Sequence, residues 1–120
     1  MKRDLDLIRL ILLELEKRNP ILPDPNIELE NYNFDTIQFH VKLLIEQNLI
    51  EGSFRKHANG KIQCFPIALT WQGYDFLDAA RDNIVWNKAK NTVVEKTQSV
   101  SFEVFKALLI QIAKDMIFPK

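Results

Sequence analysis

The chain is poor in the residues that staple, ligate or loop a small protein. It holds one cysteine, Cys64, which excludes an internal disulfide and any multi-cysteine zinc site. Its two histidines, His40 and His57, lie in different segments without thiols or carboxylates at ligand spacing, so neither metal nor cofactor is expected. The three glycines, Gly52, Gly60 and Gly73, compose no phosphate-cradling loop. A surplus of one charge is missing too, because 16 Lys and Arg face 16 Asp and Glu. Nucleic-acid binders usually carry a basic excess, so any phosphate footprint here must be local. No apolar run approaches the ~20 residues of a membrane helix. The opening Met1-Lys2-Arg3-Asp4-Leu5-Asp6 leads into a stretch studded with Arg9, Glu14 and Glu16, unlike a secretory signal. The expectation is a cytoplasmic protein in a reducing compartment, with no membrane partner.

What is present is an ordinary globular complement: 120 residues, 47% of them hydrophobic, enough for one compact domain with a core. Leu5, Ile8, Leu12 and Leu15, widened by Leu7 and Ile11, predict a helix from about Arg3 to Arg18, which Asn19-Pro20 ends. Pro20, Pro23 and Pro25 make an irregular connection, and the alternation around Ile27, Leu29 and Asn31 predicts a short strand. A second helix runs from about Phe34 to Gln47, with Asn33 or Asp35 as its cap. Ile37, Val41 and Leu44 line its inner face, and Asn48 takes the left-handed closing position. Ser53–His57 and Ile62–Leu69 predict a hairpin about Ala58-Asn59-Gly60, with Pro66 marking an edge or a bulge. Thr70 caps a helix over Trp71–Ala80, with Tyr74, Leu77 and Phe76 inward. Ile84, Val85, Trp86, Ala89 and Val93 predict another helix to Lys96. Gln98-Ser99-Val100-Ser101 is a break, and Ser101 caps a last helix reaching Ile117. The fold class is mainly α with a small β-hairpin (α+β): a unit over residues 1–80, and a helical extension over 81–120 packed on it or on a partner subunit.

The segments "HVKLLIEQNLIEG" and "LTWQGYDFL" resemble the recognition helix, wing and closing helix of winged helix-turn-helix proteins, over roughly residues 5–80. With the opening "MKRDLDLIRLILLELE" and with "LTWQGYDFLDAARDNIVWNKAK", nearly the whole chain is similar to the bacterial and prophage family called domain of unknown function 2513. That resemblance implies a small winged-helix-like protein and brings no substrate or catalytic residues with it. One departure stands out. Between Arg18 and Phe34, where a positioning helix would cross the DNA backbone, stand three prolines with Glu28 and Glu30.

The strongest candidate surface is the hairpin tip, where Arg55, Lys56 and Lys61 gather around His57 with no acid among them. Such cations reach phosphates or a minor groove; they also serve simply as a charged turn that blocks edge pairing. On the helix before it, Thr36, Gln38, Phe39 and Lys42 are expected to face outward, with Gln38 suited to adenine and Lys42 to guanine or phosphate. A packed or partner-facing helix is the competing reading. The last helix carries a broad apolar arc, from which Phe105, Leu109, Ile112 and Met116 suggest a two-fold homodimer interface, against the alternative of packing within the chain. Asp75, Asp78 and Asp82 read as a solvated face bridged by Arg81. Trp71, Trp86, Phe102 and Phe105 read as core or interface, Cys64 as a small buried residue, and His40 as packed or hydrogen-bonded. No nucleophile, acid–base pair or phosphate loop comes together, so a non-enzymatic protein is expected. It binds duplex DNA in a regulatory role, or it keeps the scaffold as a protein-interaction module without DNA binding.

Overall fold

A computed structural model describes residues 1–22, 24–96 and 100–119. Among these residues stand five helices and one antiparallel hairpin, an α+β architecture. Their order is α1 (Leu5–Glu16), α2 (Phe34–Glu46), β1 (Ile50–Lys56), β2 (Ile62–Leu69), α3 (Trp71–Ala80), α4 (Asn83–Lys96) and α5 (Phe102–Ile117). No helix is long and apolar enough to cross a membrane, among the described residues. The chain divides into two compact units, Met1–Tyr74 and Asp75–Lys120, with the seam inside α3 and not at its end.

In the first unit each helix begins on a side-chain cap. Asp4 accepts from the Leu7 amide and starts α1, and Asn33 accepts from Thr36 and starts α2. Leu7, Ile8, Ile11, Leu12 and Leu15 form the buried stripe of α1, while Leu5 is only half-buried. Ile37, His40, Val41 and Leu44 form the buried stripe of α2. Asn48 closes α2 at φ +58°, with the Asn48 amide donating to the Ile45 carbonyl and the Leu49 amide to the Leu44 carbonyl. This nested pair of bonds satisfies carbonyls that the helix end leaves open and drops the buried Leu49 and Ile50 into the core.

The hairpin is longer than its first strand suggested, since β1 begins at Ile50 and not Ser53. Ser53 pairs with Phe65 and Arg55 with Gln63 across the ladder. At the tip, the Gly60 amide donates to the His57 carbonyl and the His57 amide to the Lys61 carbonyl. Gly60 alone takes positive φ, +86°, while Asn59 does not. The loop is therefore a turn closed by a glycine bulge, not the two-residue turn that Asn-Gly signals. Pro66 faces the outer edge, where its missing N–H costs no ladder bond, and Ile67 is the extra residue of a second bulge beside it. The strand expected at 27–31 is absent, although Ile27 is buried.

The ends of α2 and β2 meet at one point. The Thr70 amide donates to the Leu49 carbonyl, the Thr70 hydroxyl donates to the Asn48 carbonyl, and the Gly73 amide donates back to the Thr70 oxygen. A Cβ on Gly73 would lie 1.9 Å from the Leu49 carbonyl oxygen, so only glycine admits this crossing. Tyr74 is exposed, contrary to its expected inward place.

In the second unit Phe76, Leu77, Val85, Trp86, Ala89, Phe102, Phe105 and Leu109 are buried. Trp86 meets the edges of Phe76 and Phe105, with ring centroids 6.4 and 5.3 Å apart. Asp82 caps α4 through the Ile84 and Val85 amides, and Ser101 caps α5 through Val104. Ile84, in that first turn, is exposed. Gln98 and Ser99 of the expected break, Pro23 of the proline-rich connection and the side chain of Lys96 lie outside the described residues.

Gly73→Ala is expected to destabilise the protein by at least about 2 kcal/mol, because the new methyl meets backbone and not a flexible side chain. Chemical denaturation of the variant beside the parent protein measures it.

Candidate functional site

The hairpin and α2 hold all the residues expected to touch a ligand, and the structure treats them differently. Gln38 does not point outward. Its Oε1 accepts from the Cys64 amide at 2.7 Å, and its Nε2 donates to the Cys64 carbonyl at 3.0 Å. Cys64 pairs with Phe54 at a position where the backbone groups of β2 point away from β1, so the Gln38 amide sits where a neighbouring strand would dock. The outer-edge groups of Cys64 are thereby closed to a further strand. With both ends of its amide engaged, Gln38 is held against β2 and is not extended into solvent as a base-reading side chain would be.

The remaining positions on α2 are also less open than expected. Thr36 is half-buried, and its carbonyl accepts from Nδ1 of His40 at 2.8 Å. His40 is fully buried, and its Nε2 accepts from the Asp4 amide at 2.8 Å, which assigns the ring proton to Nδ1. The histidine thus ties α2 to the start of α1. Phe39 is half-buried beside it. Lys42 pairs with Glu46 at 2.8 Å, and that hydrogen bond raises its pKa above the ordinary lysine value. With Asp35 and Glu46 exposed, the outer face of α2 is mixed in charge.

Tyr32 lies by the same N-terminal turn. Burial first, and then the neighbouring Asp4 and Asp6 carboxylates, push its phenol above the usual range. Cys64 is buried and its thiol is raised chiefly by desolvation, with Lys42 partly opposing. It behaves as a small apolar side chain and not as a nucleophile.

The hairpin presents the open cations. Arg55, Lys56 and Lys61 are exposed, and neither Arg55 nor Lys56 meets an acid among the described residues. Register places Lys56, Ile62 and Phe54 on one face and Arg55 and Gln63 on the other, so the cations straddle the hairpin. His57 Nε2 donates to Gln63 Oε1 at 3.1 Å, bracing the tip. Lys61 Nζ stands 5.7 Å from the centroid of the Phe34 ring. No acid occurs between Gly52 and Tyr74.

The interface residues expected on α5 divide. Phe105, Leu109 and Ile112 are 0, 0 and 8% exposed within the single chain, and only Met116, at 52%, is open. Three of the four are therefore buried within the chain itself. The acidic row of α3 is exposed, with Arg81 on Asp78 at 3.0 Å, and no group of three metal-binding side chains occurs among the described residues.

The comparisons with known proteins match this chain along most of its length. The family described as "Hypothetical protein (DUF2513)" matches residues 2–99, and the chain belongs to that family. A relative from Haemophilus influenzae, named "Uncharacterized protein", is 36% identical over 121 residues, spanning 98% of this chain and 99% of the relative. No solved structure matches.

Gln38→Ala is expected to cost about 1–3 kcal/mol in urea unfolding, because it strands the amide and carbonyl of Cys64. Leu109→Asp is expected to abolish the cooperative thermal transition seen by circular dichroism, since it buries an unpaired charge.

Proposed function

We propose that this member of the domain of unknown function 2513 family is a non-enzymatic cytoplasmic regulator. It would hold duplex DNA by its backbone, using the β1–β2 hairpin as the wing of a winged-helix-like unit. The observation that carries this reading is the placement of the exposed Arg55, Lys56 and Lys61 on both faces of the outer half of the hairpin, beyond Glu51, where no acid stands. Cations so placed engage phosphates without reading bases. The reading gives α2 no part in base recognition, because Gln38 is committed to Cys64 and Lys42 to Glu46. Thr36 remains at the margin of the surface as a half-buried hydroxyl.

A second reading, a protein-interaction module on the same scaffold, is favoured by the balance of 16 basic and 16 acidic residues and by Asp35 and Glu46 on the exposed face of α2. Phosphate binding by a neutral protein depends on local charge and falls steeply with salt. That property separates the two readings.

Titration of a labelled mixed-sequence duplex at low and near-physiological salt is expected to show affinity that fades with salt. Replacing Arg55 and Lys56 together by Ala is expected to weaken binding of every sequence and to lower the salt slope by about two. An unchanged slope in that variant removes the hairpin from the argument. Absence of duplex binding at low salt gives the scaffold to the second reading.

A further inference from the structure

The cations of the hairpin alternate with apolar side chains that the fold leaves in water. Phe54 and Ile62 are 49 and 47% exposed. The pairing of Phe54 with Cys64 and of Lys56 with Ile62 sets Phe54, Lys56 and Ile62 on one face, running toward the tip. Past the tip, Lys61 stands by the half-exposed ring of Phe34 at the start of α2. Exposed apolar groups this size are ordinary one at a time; their place beside Lys56 on the acid-free outer half of the hairpin is what asks for a ligand.

A duplex offers this face little beyond phosphates, since its base faces are hidden in the stack. An unpaired strand offers both chemistries, phosphates for the ammonium groups and flat base faces for an exposed ring. We infer that the Phe54 face of the hairpin takes an unpaired nucleic-acid strand in preference to duplex, with one base stacked on Phe54 and a flanking phosphate held by Lys56. This rests on the phosphate-binding reading of the hairpin above and adds a ligand class to it. A partly acidic peptide would meet the same cations but would gain nothing from the flat ring over any other apolar surface.

The test uses the full chain and three labelled probes of one length: a mixed-sequence single strand, its duplex and an abasic strand with the same phosphates. Fluorescence anisotropy at low salt is expected to give single-strand affinity about fivefold or more above that of duplex and abasic strand. Phe54→Leu, a half-exposed position whose folding circular dichroism checks, is expected to erase that preference with duplex affinity and salt slope unchanged. Arg55 and Lys56 replaced together by Ala is expected to weaken all three probes. Equal affinity for single strand, duplex and abasic strand overturns this inference and leaves the hairpin reading standing, as does a Phe54→Leu variant that keeps the preference. Failure of all three probes to bind overturns both and leaves the face to a protein partner.

Discussion

The side-chain amide of Gln38, bonded through both ends to the peptide groups of Cys64, is the constraint on which the surface of the first unit depends. A two-stranded sheet has two open edges, and an open edge invites another strand. The glutamine amide has the donor–acceptor geometry of a backbone peptide and occupies one such position from outside. It fastens α2 alongside β2, it fills the place where an adjoining strand would pair, and it withdraws the best base-reading side chain on α2 from solvent. Each hydrogen bond is worth about 1 kcal/mol net, yet leaving the Cys64 groups unsatisfied would cost more. The clasp therefore persists because its loss is expensive.

Around it, the first unit is held by the junctions between elements as much as by its apolar core. Asn48 ends α2 in the left-handed region, Thr70 bonds back to Asn48 and Leu49, and Gly73 passes the Leu49 carbonyl at a distance that only glycine tolerates. His40 makes the corresponding tie at the other end, between α2 and the cap of α1. These bonds join residues far apart in the chain and fix where β1 leaves α2, and hence where the hairpin projects. Lys42, by contrast, spends its charge on Glu46 within its own helix. The result is a neutral chain with one hairpin on which Arg55 and Lys56 meet no acid among the described residues, and a local field of that kind is what a ligand bearing phosphates responds to.

Local signals carried most of the element boundaries. Asn33, Thr70 and Ser101 announce helix starts through short-range side-chain bonds, Asn48 announces a helix end, and Gly60 announces a turn. Each depends on chemistry within a few residues, so it is visible in the linear chain. The strand expected at 27–31 failed for the opposite reason. Its alternation satisfies a strand, but a strand also needs a partner edge, which lies elsewhere in the chain and which the segment does not find. Tyr74 failed similarly, since a helical stripe shows periodicity without showing which flank meets other atoms.

For the candidate site the division is sharper. The exposed cations of the hairpin were legible in the sequence, because a run of Arg55, Lys56 and Lys61 around a glycine turn without acids has no local means of burying itself. The fates of Gln38 and His40 were not, because an amide or an imidazole on a helix is equally suited to solvent and to a distant peptide group. The apolar arc of α5 had the same ambiguity: its composition demanded burial, while only the folded chain showed Phe105, Leu109 and Ile112 already covered and Met116 left open. Sequence by itself determined the caps, the turn, the helix spans and the charge pattern, all interactions between near neighbours. Tertiary structure decided which polar side chains serve the fold and which remain for a ligand, since that depends on the atoms brought against them from elsewhere in the chain.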